Sequence, residues 1–264
     1  MTEQVEQQPG AATERQGCGS LQRMVRPLVA VLFARSDSVY KTLPECDVWD
    51  AERDALNYPG GLPVIAHPPC RAWGRLRHFA RPREGERELA LWAVEVVRRE
   101  GGVLEHPAAS LLWPTAVLPK PGHRDAWGGW TLAAPQWWWG HRAQKPTLLY
   151  IVGVEPRDVP AMPLRLGKSE CVIRLDKRRP DGTHIRKGDA DYRQALGPEE
   201  REATPLAFAK WLVELSIHCA RSKRPNDLKL SHGRCWRDGC GVKRRRDIQA
   251  RKEYGSDGTG SSVK

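Results

Sequence analysis

Two residues in this chain have the type and the setting that nucleophilic chemistry needs, Cys70 and Glu105. Cys70 follows Val64-Ile65-Ala66-His67-Pro68-Pro69, a short apolar run with two β-branched residues that meets two prolines. Proline fixes φ and has no N–H, so a strand over Val64 to Ala66 must leave its sheet there. The thiol is then held on a stiff turn at a strand's C-terminal end, where open α/β sheets bind ligands. Glu105 ends a second apolar run, Val103-Leu104, and precedes His106-Pro107. A thiolate that adds to C6 of a pyrimidine, beside a carboxyl group that protonates or hydrogen-bonds N3, makes C5 nucleophilic. C5 then takes a one-carbon group. A base is out of reach inside a duplex, so it must be flipped out or single-stranded. The loop after Cys70 holds Arg71, Trp73, Arg75, Arg77, His78, Arg81 and Arg83. Arginines there lower a thiol's pKa and grip phosphates, which makes Arg71, Trp73, Arg75 and Arg77 candidate nucleic-acid contacts. The plainer readings are a structural cysteine in a proline turn, a strand-end acid paired with an arginine, and a solvated basic loop. His67 and His106 flank the two motifs and read first as hydrogen-bonded supports rather than as proton carriers or metal ligands.

These residues need elements to position them. Leu28 to Phe33 is a continuous apolar run, the pattern of a strand buried on both faces. Cys46 to Asp50 reads as a second short strand that ends in an acid. Glu86 to Glu100 is the clearest helix, with Leu89, Trp92, Ala93, Val96 and Val97 on one stripe, Arg98 and Arg99 in the last turn, and Gly101 as the stop. Strand, helix and strand from Val64 to Glu105 form a βαβ unit. Its crossover makes the two strands parallel, so Cys70 and Glu105 open on the same edge of the sheet. Trp113 to Trp139 shows no clear periodicity, and its Trp137-Trp138-Trp139 run offers stacking surfaces for bases. Leu148 to Val154 reads as a further strand, Arg165 to Tyr192 as basic loop, and Thr204-Pro205 as the start of a last helix with Phe208, Trp211, Leu212 and Leu215 on its apolar side.

The 264 residues suffice for one ordinary domain with tails. Residues 1–24 are polar and read as a disordered tail, 25–220 as the α/β domain, and 221–264 as a basic, disordered tail where Lys and Arg far outnumber Asp and Glu. The net charge of +11 points to an anionic partner, most simply nucleic acid. Seven cysteines without paired spacing, no secretory signal and no long apolar span point to a cytoplasmic, monomeric protein with free thiols and no membrane contact. Cys235 and Cys240, with Cys219 and His232 upstream, are too irregularly spaced to assign a metal site.

Taken in order, the motifs resemble those of DNA cytosine-C5 methyltransferases, especially the compact phage-type members. Pro68-Pro69-Cys70 looks like the family's nucleophile motif, and Leu104-Glu105-His106 looks like its Glu-Asn-Val motif. Pro135-Gln136 through Gly140-His141-Arg142-Ala143-Gln144-Lys145-Pro146-Thr147 is similar to its later Gln/Arg segment, and Arg201 to Leu206 to the start of its closing helix. The resemblance spans roughly Leu28 to Leu215. It implies a Rossmann-like α/β fold of the class I methyltransferase type, with a mostly parallel sheet and helices on both faces. It further implies DNA as partner, S-adenosylmethionine as donor, Cys70 as nucleophile, Glu105 as the N3 partner, and Arg142 or Lys145 as support for the base or the catalytic loop. Phe33, Ser36, Asp50 and Pro68 fall where the family holds its cofactor. The chain departs from the pattern at the first βα turn, Phe33-Ala34-Arg35-Ser36-Asp37-Ser38, where the family has glycines and this sequence has none. Arg71 replaces a common Gln, and His106-Pro107 replaces Asn-Val. A pyrimidine-C5 enzyme with another donor, and a non-catalytic DNA-binding protein, are the alternatives.

Overall fold

The computed structural model describes residues 26–221, except 76 and 174–177. The two tails, with Cys235, Cys240 and His232, lie outside the described residues. The chain forms β1 (Val29–Leu32), β2 (Cys46–Trp49), β3 (Val64–Ala66), α1 (Glu86–Glu100), β4 (Gly102–Pro107), α2 (Leu112–Thr115), β5 (Trp130–Ala133), β6 (Thr147–Val152), β7 (Cys171–Val172), β8 (Gln194–Ala195), α3 (Pro198–Glu202) and α4 (Leu206–Arg221).

Six strands make one mixed sheet in the order β2-β1-β3-β4-β6-β5. The first four are mutually parallel, whereas β6 runs antiparallel to both β4 and β5. Strand alternation divides the core into two layers. Val29, Val31, Ile65, Val103, Leu149 and Ile151 face α4, with its Phe208, Ala209, Leu212 and Leu215. Ala30, Leu32, Val64, Ala66, Leu104 and Tyr150 face α1, with its Ala90, Ala93, Val94 and Val97. The sheet is therefore covered by a helix on each face, as the unbroken apolar strands require. The buried stripe of α1 is turned slightly from the expected one. Leu89 and Trp92 sit at its margin, and Ala90 and Val94 lie inside. β7 and β8 form a small separate ladder within the basic, loop-rich stretch. None of the described helices is long and apolar enough to cross a membrane.

Two features fix the edge where β1, β3 and β4 end. The strand order reverses at β1, with β2 on one side and β3 on the other, so a crevice opens beyond the C-terminal ends of β1 and β3. The register that aligns β3 with β4 is held by Gly102, which pairs with Val64 and has φ +114°. A Cβ there would lie 2.1 Å from the Val64 carbonyl oxygen. Gly102→Ala is therefore expected to cost roughly 3 kcal/mol or more, or to prevent folding. Gly122→Ala, at φ +85° with open space around it, should cost only about 1 kcal/mol. Thermal melting of the two variants checks this; equal losses would show that the close approach of β3 and β4 does not set the register.

Candidate functional site

Glu105 sits near the end of β4, with its side chain only 13% exposed. Its carboxylate is held from two sides, and one of the two holders is itself held by a third residue. His67, just past β3, meets Oε2 through Nδ1 at 3.0 Å. Gln136, completely buried, donates from Nε2 to Oε1 at 3.2 Å and also to Thr147 Oγ1. Tyr40, buried after the β1 turn, lies 3.0 Å from His67 Nε2. Burial alone would raise the pKa of Glu105. The His67 contact, reinforced by the fields of His67, Lys145 and His106, wins and brings it down to about 2. Glu105 is thus a carboxylate and not a resting acid. Of the two roles open to it, it fits that of an acceptor, for a protonated ring nitrogen or an exocyclic amine.

Cys70 begins the loop beyond Pro68-Pro69, and its carbonyl accepts from the N–H groups of Trp73 and Gly74. The residue is exposed at the surface, but its surroundings do not favour a thiolate. Desolvation, then the charges of Glu105 and Glu202, push the thiol up against the weaker opposing pull of Lys145. The expected depression by neighbouring arginines is absent for a clear reason. Arg71 is committed to the buried Glu86 in the first turn of α1, through two bonds of 2.8 and 2.6 Å. That pair ties the loop to the helix start, where a carboxylate also suits the helix dipole.

Trp73 is corrected outright. It is fully buried, donates from Nε1 to the Arg87 carbonyl, and lies under the Arg87 guanidinium, so it is core and not a stacking platform. Trp137 and Trp139 are buried as well, with Trp139 packed on Phe208 and Trp211 of α4. Arg75 and Arg81 are exposed and Arg77 is half-buried, and none of the three has a carboxylate partner among the described residues. Phe79, between them, is 81% exposed.

Lys145 lies near both Glu105 and Cys70. Its Nζ donates to the carbonyls of Glu202 and Ala203, and its charge is felt by both Glu105 and Cys70. Burial pushes its ammonium pKa down. The backbone of Lys145 has φ +37°, an uncommon state for a residue that precedes proline. Arg142, by contrast, does not reach Glu105. Its guanidinium pairs with Glu200 at 2.9 Å and Glu170 at 3.7 Å, which gives it a clamping role on α3.

On the donor side, Phe33, Ser36, Asp50 and Pro68 all fall at the C-terminal edge of β1 to β3. Phe33 has φ +60°, the left-handed conformation that glycine would favour, and its ring meets Trp92 edge-on. Arg35 fills the turn, bonded twice to Asp37 and to the Glu199 carbonyl on α3. Asp50 starts the next turn, accepting from the N–H groups of Glu52 and Arg53, while Oδ2 takes Lys41 Nζ at 2.6 Å. An open depression of about 350 Å³ runs along β2 beside Lys41, Asp47, Asp50 and Arg53. These groups do not fit S-adenosylmethionine as they stand. A cation occupies the acid meant for the ribose, and side-chain ion pairs occupy the turn meant for close backbone approach.

The residues that hold Glu105 left uneven traces in the sequence. His67 and Gln136 stand inside the quoted motifs. Tyr40 and the acidic face of α3 give no local signal, because their partners are distant in the chain. His106 is not the hydrogen-bonded support expected of it. It is 1% exposed, and neither ring nitrogen has a partner. Among the described residues no group of His, Cys, Asp and Glu could hold a metal. Comparison with family models, curated proteins and solved structures finds no match.

Two outcomes test this electrostatic picture. Alkylation of Cys70 by iodoacetamide, followed by peptide mass spectrometry, should rise with pH later than that of a free thiol peptide; an earlier rise would contradict the raised pKa. Glu202→Gln should shift that rise to lower pH. Burial brings the pKa of His106 down to about 4, below its unfolded value of 6.5. The unfolded chain then binds the extra proton between those values, so stability is complete above pH 6.5 and falls as pH drops toward 4. The shift corresponds to about 3 kcal/mol. Denaturant unfolding across that range should show the fall, and His106→Leu should flatten it.

Proposed function

We propose that this chain is a DNA base-modifying enzyme that activates C5 of a pyrimidine, cytosine first, through a covalent adduct of Cys70. The observation that carries this reading is the placement, at the C-terminal edge of the parallel strands, of an exposed cysteine near a buried glutamate whose two carboxylate oxygens are met by His67 and Gln136. Cys70 follows β3, Glu105 lies near the end of the neighbouring parallel strand β4, and the charge of Glu105 acts on the Cys70 thiol.

In this reading, an extrahelical cytosine enters edge-on to Glu105, takes a proton from solvent at N3, and donates from that N3–H and from its exocyclic amine to the carboxylate. The Cys70 proton leaves to solvent, and Lys145 steadies the thiolate. The Sγ–C6 bond forms as the C5–C6 π pair moves onto C5 and the positive charge on N3 is cancelled. C5 takes the electrophile from its donor, whose leaving group departs with the bonding pair, and the positive charge returns to N3. Loss of the C5 proton to water then expels Sγ and restores the C5–C6 double bond, and N3 gives its proton back to solvent. The unpaired Arg75, Arg77 and Arg81 beside the exposed Phe79 suit phosphate contacts of the strand that carries the base.

The fold supports a methyltransferase-type core, and S-adenosylmethionine is the donor that the resemblance implies. The ion pairs at Arg35–Asp37 and Lys41–Asp50 favour the second reading, C5 chemistry with another donor.

Nucleoside mass spectrometry of DNA from cells that express the protein tests the reaction and identifies the group added. Cys70→Ser should remove the product, and Glu105→Gln should cut it roughly 100-fold while DNA binding at fixed salt persists. Product that survives in Cys70→Ser would end the adduct mechanism. DNA binding with no product from any variant would leave a non-catalytic binding protein. Calorimetric titration with S-adenosylmethionine decides the donor: micromolar binding means that Lys41 and Arg35 yield to it, and no heat means another donor.

A further inference from the structure

We propose that His67 is a positioning residue for Glu105: its Nδ1–H holds the carboxylate turned toward the base and keeps it charged, and Tyr40 fixes the ring from behind. Its catalytic consequence rests on the reading above, whereas the positioning itself stands on the contacts among Tyr40, His67 and Glu105 alone.

The geometry determines the direction of the bonds. A carboxylate only accepts, so the 3.0 Å contact between Nδ1 and Glu105 Oε2 places a proton on Nδ1. The other ring nitrogen faces Tyr40 Oη at 3.0 Å. Burial, then the charges of Glu105 and Cys46, keep that phenol protonated. With a neutral imidazole, the Tyr40 O–H donates to Nε2 and the Nδ1–H donates to Glu105, so the chain of donors runs toward the carboxylate. Both ends of the imidazole are therefore committed, and its ring has one orientation. The Pro68-Pro69 turn removes backbone freedom immediately after it.

No other group among the described residues does this job. Gln136 donates to the opposite oxygen, Oε1, and leaves Oε2 to His67. Lys145 faces Glu105 only through space, since its ammonium is spent on the carbonyls of Glu202 and Ala203. His106 lies on the same strand and donates to nothing. Cys70, and Glu202 beyond it, would add negative charge and oppose ionisation. From the α4 side, Phe208, Ala209 and Leu212 present only apolar surface to this layer. Arg142, the residue that the resemblance pointed to, is held on α3.

The test reads Glu105 directly. In the full-length protein carrying ¹³C-carboxyl glutamate, with the resonance assigned by its loss in Glu105→Gln, the wild-type carbon should stay at its carboxylate position throughout the pH range in which the protein is folded. In His67→Ala, Glu105 should titrate within that range, with proton affinity raised at least about tenfold. His67→Asn keeps a donor near the Nδ1 position and should restore most of the difference. Tyr40→Phe should give a smaller rise. An unchanged titration in His67→Ala would overturn the proposal, and if that variant does not fold, unchanged titrations in His67→Asn and Tyr40→Phe together would do so. In the activity assay, the acid limb of the pH–rate profile should move with the Glu105 midpoint in each variant, with kcat reduced and the KM for DNA preserved. A limb that stays put while the midpoint moves would remove the catalytic consequence. Absence of any base modification would bear on the function alone, because the titration needs no substrate.

Discussion

A carboxylate can stay charged inside a protein only if donors surround it, and this structure is organised around meeting that need at Glu105. Isolated burial of the charge would cost several kcal/mol and would be relieved by protonation. The donors come from separate parts of the chain. His67 follows β3, Gln136 lies between β5 and β6, and Tyr40 supports His67 from the segment after β1. Satisfying one side chain thus requires the parallel strands and the antiparallel pair to end at one place. The close approach of β3 and β4 at Gly102 provides the required register.

The same logic of local pairing commits part of the basic charge. The net charge of +11 suggests a strongly cationic surface. Yet Arg35, Arg53, Arg71, Arg98, Arg142 and Arg179 each meet a carboxylate. Arg179 joins Asp189 and Asp191 to secure the loop that surrounds the small ladder. Among the described cations without a carboxylate partner, Arg75, Arg77, Arg81 and Arg83 share the loop beyond Cys70.

The sequence was most legible where burial acts on consecutive residues. β1, β3 and β4 follow from unbroken apolar runs, and α1 from its 3.6-residue stripe, so the mixed α/β class and the parallel β3–β4 pair could be read directly. β5 was missed because Trp130 to Ala133 sits among glycines, prolines and tryptophans that mask a four-residue strand. The reversed direction of β6 has no local marker. Trp73 misled because an aromatic residue among arginines resembles a stacking surface, whereas here its ring is what the loop folds around. Arg71 misled for a similar reason: its partner Glu86 lies in the next helix, and nothing in the loop itself announces the pair. Side chains whose partners are distant in sequence are invisible to pattern, and the site is made mainly of such pairs.

The layer that α4 covers has a consequence for the order in which the chain acquires its structure. Val29, Val31, Ile65 and Val103 belong to strands made early, yet the residues that cover them, Phe208 to Leu215, come at the far end of the described chain. During synthesis, this side of the sheet stays bare until α4 has left the ribosome, long after α1 has covered the opposite side. A nascent chain halted before residue 206 would carry a half-covered sheet, a natural substrate for chaperones and a template for aggregation. The same delay keeps the acidic segment of α3 from engaging Arg35, Arg142 and Lys145 until the end, so the rim of the pocket is the last part of the molecule to take shape.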